Sequence, residues 1–164
     1  MARIVRKFPM PVEMALSGQT PTCGVFFLSS RGMNGTEPDT LLGFMNRTDE
    51  RMVPFERESD GAMLLVSRRR IEWIRSLSAN NSVLMRPPHD HATREELMRV
   101  RFVGGTEIEG LVSLELNESS YRASDFMNGR DSFFSLLTPS GLHLVNKESV
   151  LEVRVFEESP LPSL

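Results

Sequence analysis

The two halves of this chain show the same succession of apolar segments and glycine turns. In each half, alternating apolar residues lead into a glycine turn, and a Thr-x-x-x-Gly spacing then opens a second apolar segment. Five such features recur in the same order at nearly constant spacing, which predicts an internal duplication. The matching segments are 12–20 and 98–106, 20–24 and 106–110, 44–46 and 126–128, 52–55 and 133–136, and 62–68 and 141–147.

The alternation inside these segments has the period of a β-strand. Met98, Val100 and Phe102 would point to one side of an extended chain. Arg99 and Arg101 would point to the other. This pattern is typical of antiparallel strands with one buried face. A glycine in the second strand of each half marks a bend of the kind that small barrels need.

The predicted architecture is all-β with short helices. We expect two small barrels or sheets in tandem, related by a pseudo-two-fold axis. One short helix is predicted near 40–46, capped by Asp39, and another near 124–128, capped by Ser124. Helices of about two turns are not stable alone, so both must dock on the sheets.

The predicted boundaries place the first β-repeat at 1–76 and the second at 98–156. The segment 77–97 is predicted to be a linker because it is rich in proline and polar residues. Within it, Thr93-x-x-Glu96 is typical of a helix start. Residues 157–164 are predicted to form a flexible tail.

The strand order resembles that of the Sm-like small-barrel family. The features shared in the second half are Gly104 or Gly105 in the first turn, Gly110 in the second strand, and a short turn over 146–150. The resemblance implies a small SH3-like or Sm-like barrel, with Asn128 at the place of the family's base-pocket asparagine. The family's N-terminal helix and the Arg-Gly pair of its last turn are missing here. The pattern also resembles small bacterial β-proteins of unassigned function.

Composition excludes several classes of protein. The only cysteine is Cys23, which rules out an internal disulfide and a cysteine zinc site. The formal net charge of −3 gives no overall footprint for nucleic acid, and DNA is not an expected partner. No apolar run approaches the roughly 18 residues that a membrane span needs. Prolines and Glu13 interrupt the start, so we expect no signal peptide and a cytoplasmic location.

The densest positive cluster is Arg68-Arg69-Arg70 with Arg75 nearby, and Lys147 lies at the matching turn of the second half. These residues are the candidate anion-binding or RNA-binding site. The alternative is a charged turn that keeps an edge strand soluble. Residues 1–82 hold eleven basic and nine acidic groups, whereas 83–164 hold eight and thirteen. An anion would therefore bind the first half.

No catalytic, cofactor-binding or metal-binding residue is predicted. His89 and His91 lie in the linker without further ligands near them, and Cys23 has no nearby histidine. Asp49 and Asp131 fall at matching places, which favours a structural role. The sequence has no nucleophile elbow and no phosphate-binding glycine loop.

The predicted function is a non-catalytic cytoplasmic module for binding or assembly. A protein partner or self-association is expected, because a well-specified scaffold carries no catalytic constellation. The alternative is an Sm-like RNA-binding protein that uses the basic turn of the first repeat. An enzyme is the third hypothesis.

Overall fold

A computed structural model of the chain describes residues 7–31, 37–38, 40–47, 50–77, 93–115 and 123–156. These residues are predominantly β. The strands are β1 (Lys7–Leu16), β2 (Thr22–Arg31), β3 (Glu37–Pro38), β4 (Met52–Arg57), β5 (Met63–Ser67), β6 (Ile71–Ser76), β7 (Thr93–Phe102), β8 (Glu107–Glu115), β9 (Phe133–Thr138), β10 (Gly141–Asn146) and β11 (Val150–Phe156).

Ten of the strands form one antiparallel sheet in the order β11-β7-β8-β9-β10-β6-β1-β2-β4-β5, and β3 pairs with β2 beside it. Each half therefore contributes five strands in the same succession: its last strand, then its first, second, third and fourth main strands. A one-turn 3-10 helix joins the last two strands of each half, at Arg68–Arg70 and Lys147–Ser149. We call two residues counterparts when they occupy the same position in the two halves, with positions counted along the strands from these 3-10 turns.

Each half has one short helix, which lies between its second and third main strands. Helix α1 spans Leu41–Arg47 and helix α2 spans Ala123–Met127. The Thr40 hydroxyl accepts a 2.9 Å hydrogen bond from the Gly43 amide and so caps this helix, while the predicted cap Asp39 lies outside the described residues. Leu41 and Met45 are fully buried, which confirms that the helix docks on the sheet.

Two hydrophobic cores lie on opposite faces of the one sheet. Met14 and Ile74 are paired across β1 and β6 and belong to the first core. Their chain neighbours Ala15 and Trp73 are also paired, and they belong to the second core. Since successive side chains of a strand point to opposite faces, β1 and β6 contribute residues to both cores.

Glycine permits the close approach of strands where each half bends. A Cβ atom on Gly24 would collide with the carbonyl oxygen of Glu56. A Cβ atom on Gly110 would collide in the same way with the carbonyl oxygen of Leu137. The predicted role of both mid-strand glycines is thus explained by a backbone that leaves no room for a side chain.

The arrangement of the halves differs from the predicted pseudo-two-fold. A two-fold contact would pair like strands, but the halves meet through β6 of the first and β10 of the second, which are not counterparts. The two halves thus follow one another head to tail. The sheet is also not closed into a barrel, because the order of described strands runs from β11 to β5 without returning.

The second half begins earlier than predicted. Strand β7 starts at Thr93, so residues 93–97 belong to it rather than to the linker, and the Thr93-x-x-Glu96 pattern does not start a helix. Pairing with β8 across nine residue pairs decides the conformation there. The rest of the predicted linker from 78 to 92, and the predicted tail 157–164, lie outside the described residues. Within the described ranges, no helix is long and apolar enough to cross a membrane.

Candidate functional site: the strand junction and the open sheet edges

The two halves meet where β6 pairs with β10. In this junction His143 lies opposite Arg75, Leu144 opposite Ile74, and Val145 opposite Trp73. The first four residues of β6 and the last four of β10 are all buried. Such continuous burial replaces the usual alternation because each of these strands has a core on both faces.

The junction exchanges side chains between the two cores. Leu144 comes from the second half but is fully buried in the first core. Trp73 comes from the first half and packs in the second core, where its ring meets His143 edge-on at 4.8 Å. Burial of such apolar side chains is the largest favourable contribution that an interface of this kind receives.

Helix α1 adds a polar clamp to the junction. The side-chain carbonyl of Asn46 accepts a 2.7 Å hydrogen bond from the Phe133 amide, and its NH2 group donates to the Phe133 carbonyl at 3.1 Å. Phe133 itself is buried in the first core. Asn46 thus fixes the first residue of β9 by both of its backbone groups.

The turn of the second half holds the turn of the first. Asn146 is buried and donates to the carbonyls of Arg68 at 3.1 Å and Ile71 at 2.9 Å. The Ser149 hydroxyl lies 2.9 Å from the Arg69 carbonyl and 3.0 Å from that of Ile71. These bonds bring donors from the second half to the carbonyls of the first turn, including a second donor for the Arg68 carbonyl, which also accepts from the Ile71 amide.

Glu72 is a buried acid at the same junction. One carboxyl oxygen accepts a 3.0 Å hydrogen bond from the Thr106 hydroxyl, and the other has no hydrogen-bond partner among the described residues. Only 2% of the residue is exposed. Burial raises the pKa of Glu72, and the bond from Thr106 opposes that shift.

His143 is the second buried titratable group. Its Nδ1 atom lies 3.1 Å from the Gly141 carbonyl and 3.2 Å from the Thr138 hydroxyl. Burial lowers the pKa of His143; the hydrogen bond with the Gly141 carbonyl opposes this shift, the positive charge of Arg75 adds to it, and the charge of Glu13 opposes it. The imidazole is therefore a neutral core group near pH 7.

The structure disperses the three arginines of the predicted basic cluster. Arg68 donates from its guanidinium to the Met45 carbonyl at 2.9 Å and thus ties the turn to helix α1. Arg69 has a side chain 82% exposed, with its Nε atom 3.5 Å from a carboxyl oxygen of Glu148. Arg70 is exposed.

The other two predicted residues have local partners. Arg75 forms hydrogen bonds of 3.0 and 3.2 Å with the Glu13 carboxylate across β1 and β6. Lys147 donates to the Phe126 carbonyl at 2.7 Å and lies over the Phe126 ring, 4.8 Å from its centre. Burial lowers the pKa of Lys147. Arg69 and Arg70 are the two of the five that are exposed, and Arg69 lies near the Glu148 carboxylate.

The remaining candidates do not converge on a site. Cys23 is half-buried and free, and His89 and His91 lie outside the described residues. Asn128 is exposed, with its NH2 group donating to the Ser124 carbonyl of its own helix. Among the described residues, no group of three or more potential metal ligands comes together.

Among the described strands, the sheet ends at β5 and at β11, each of which pairs with a strand on one side alone, and we call these the open edges. On β5, Met63 is 58% exposed and Leu65 is 65% exposed. Leu151 on β11 is 58% exposed. Strand edges with unpaired backbone groups and exposed apolar side chains readily pair with another strand.

Sequence reasoning missed the residues that build the junction. The repeat pointed to a contact between the halves, but nothing in it showed which edges meet. Asn46 and Asn146 were visible as matches to Asn128 and Ser67, yet their partners are distant in sequence. The sequence of β10, Gly-Leu-His-Leu-Val-Asn, gives no signal of burial on both faces, because the polar residues His143 and Asn146 are buried together with Leu144 and Val145.

No family model, no curated protein and no solved structure matches this chain.

Proposed function

We propose that this protein is a non-catalytic assembly module, built of two copies of one five-stranded unit, that associates with further copies of itself through its open sheet edges. One observation carries the proposal. Leu144 in the paired strand β10 is 0% exposed, whereas its counterpart Leu65 in the open strand β5 is 65% exposed. The same position is thus buried where a strand edge is paired and uncovered where it is not.

Equivalent bonds support the duplication. The Ser17 amide donates to the Arg70 carbonyl at 2.9 Å in the first half, and the Val103 amide donates to the Ser149 carbonyl at 2.9 Å in the second. Together with the shared strand succession and the two bend glycines, these bonds favour an origin from one repeated unit. The same succession is what favours the Sm-like resemblance, and each unit is then an open form of that small barrel.

The residues of β5 favour self-association over a merely solvated edge, whereas β11 carries the charged residues Glu152 and Arg154. Natural proteins protect an exposed edge with charges or prolines. Strand β5 reads Met-Leu-Leu-Val-Ser and holds neither. Its charge-free sequence is suited to pairing with another strand.

The proposal is tested by sedimentation velocity over a range of protein concentrations. We expect the wild-type chain to associate, and we expect Leu65→Lys to be monomeric, because a charged side chain would have to be buried in the contact. Val103→Lys is the matched control: Val103 is 62% exposed but lies in the turn between β7 and β8. A monomeric wild-type chain, or equal effects of the two lysines, would overturn the proposal.

RNA binding at the basic turn is the alternative function, favoured by the exposure of Arg69 and Arg70. It would involve these two residues rather than all five that the sequence suggests. Binding of a short single-stranded RNA that weakens with salt and is lost in an Arg69→Ala, Arg70→Ala double variant would favour this alternative.

A further inference from the structure

We propose that the chains join head to tail, with the β5 edge of one chain paired to the β11 edge of the next in the register of the internal junction. This inference rests on the proposed self-association and adds its orientation, its register and its contacts.

The strand order gives the orientation. The internal junction pairs the last strand of the first half with the fourth main strand of the second. The open edges are the fourth main strand of the first half, β5, and the last strand of the second half, β11. A β5–β11 contact between chains therefore repeats a contact that the chain already makes. A β5–β5 contact has no precedent in the molecule.

The internal register fixes the pairing between chains. Leu144 lies opposite Ile74 in the junction, and their counterparts are Leu65 and Val153. In the assembled pair, Leu65 would enter the second core of the next chain, as Leu144 enters the first core of its own. Val153 already packs against that second core, at its partly buried margin.

Helix α2 would supply the polar clamp. Asn46 bonds both backbone groups of Phe133 across the junction. The counterparts of these residues are Asn128, which is exposed, and Met52, which is 46% exposed. The Asn128 amide would thus bond the Met52 backbone of the next chain. The side chain of Met52 would then be covered as that of Phe133 is.

A contact of this kind is heterologous, since each chain uses two different surfaces. Heterologous contacts close into rings when the rotation between neighbours allows it and otherwise extend into filaments. An open pair of chains still presents one free β5 edge and one free β11 edge, so association proceeds beyond a dimer unless two chains already close the ring.

Disulfide trapping between differently labelled chains tests the geometry. In a Cys23→Ser background, Leu65→Cys is placed in one chain and Val153→Cys in another. Each variant is oxidised alone, and a mixture of the two is oxidised in parallel. We expect the cross-link only in the mixture, because the two positions lie directly opposite across the pair. Leu151→Cys is the matched control on the same strand, and its cross-link to Leu65→Cys should form about tenfold more slowly because its geometry is out of register.

The outcomes separate this inference from the proposed function. A Leu65→Cys chain that cross-links to itself would show a two-fold contact, which overturns the head-to-tail geometry and leaves self-association standing. A wild-type chain that does not associate would overturn the proposed function itself. Equal cross-linking by the Val153→Cys and Leu151→Cys chains would overturn the register.

A second variant tests the clamp. Asn128→Ala should raise the dissociation constant between chains about tenfold, the effect of losing one or two hydrogen bonds. Arg130→Ala is the control, because Arg130 is also exposed and lies just beyond the same helix. An unchanged dissociation constant for Asn128→Ala would exclude the clamp.

Discussion

The closed junction and the open edges place counterpart residues in opposite environments. At the junction, β10 and β6 are covered on both faces, and Asn146 and Ser149 bind the backbone of the opposing turn. At the open edges the counterparts of these strands keep apolar side chains in contact with solvent. Within the described part of the chain, the pairing of β6 with β10 satisfies one edge of each half, and the other edges, at β11 and β5, pair with no further strand.

The two regions also differ in their polar content. The junction buries Glu72 and Asn146, whereas their counterparts are Leu151 and Ser67. Buried polar groups that are hydrogen-bonded restrict the register of a contact, because any other register leaves them without partners. The contact within the chain is therefore specified by hydrogen bonds. A contact at the open edges would depend more on apolar burial.

Alanine substitution of the counterparts Leu144 and Leu65 should give the largest difference in stability between the junction and the open edges. Leu144→Ala should lower the free energy of unfolding by about 2–5 kcal/mol, because it leaves a cavity in the first core. Leu65→Ala should change it by less than about 0.5 kcal/mol in the monomer, since that side chain is exposed. Urea denaturation at concentrations where the chain is monomeric measures both. Similar losses for the two variants would show that Leu65 is already covered.

Alanine at the two bend glycines tests whether the halves are equivalent. Gly24→Ala and Gly110→Ala should each destabilise the protein by about 1–3 kcal/mol, because the added methyl group meets a backbone carbonyl of the next strand. Ser113→Ala, on the outer side of β8, is the control and should have little effect. A large loss at one glycine and none at the other would argue against a repeated unit.

Alanine substitution of Asn46 and of its counterpart Asn128 should give a smaller difference in the free energy of unfolding. Asn46→Ala removes two hydrogen bonds to the Phe133 backbone, and we expect a loss of about 1–2 kcal/mol in the free energy of unfolding. Asn128→Ala should be nearly neutral in the isolated chain. Thermal denaturation of dilute samples compares the two. An equal loss from Asn128→Ala would mean that its role lies within its own helix.

The smallest effect concerns pH. Because burial raises the pKa of Glu72, its contribution to stability is full below the ordinary pKa of glutamate and is lost as pH rises through the folded value. His143 acts in the opposite sense, since its lowered pKa costs stability as pH falls below its ordinary value. Glu72→Gln should therefore be relatively more stable than the wild type at pH 8 than at pH 4.5.

Denaturation curves of the wild type and Glu72→Gln at both pH values test this expectation. His143 is present in both chains, so its contribution cancels in the comparison. A difference in stability that does not change with pH would show that Glu72 titrates as an ordinary exposed acid.

The predicted basic site shows where sequence reasoning stops. Arg68, Arg69 and Arg70 are adjacent in sequence, which predicts a concentrated positive charge. In the fold, Arg68 is held by the Met45 carbonyl, while Arg69 and Arg70 face solvent. A run of like charges says how much charge is present, but the backbone carbonyls that bind each guanidinium come from other parts of the chain.

The sequence by itself determined the β class, the position of both bends and the parallel between the halves, because period-2 alternation, glycine spacing and order along the chain are local properties. It did not determine how the halves meet. The sequence of a strand does not identify the strand with which it pairs. The pattern that begins at Thr93 even predicted a helix where the structure has a strand. Pairing of β6 with β10 and of β7 with β8 decided these points, since those bonds form only between segments that folding brings together.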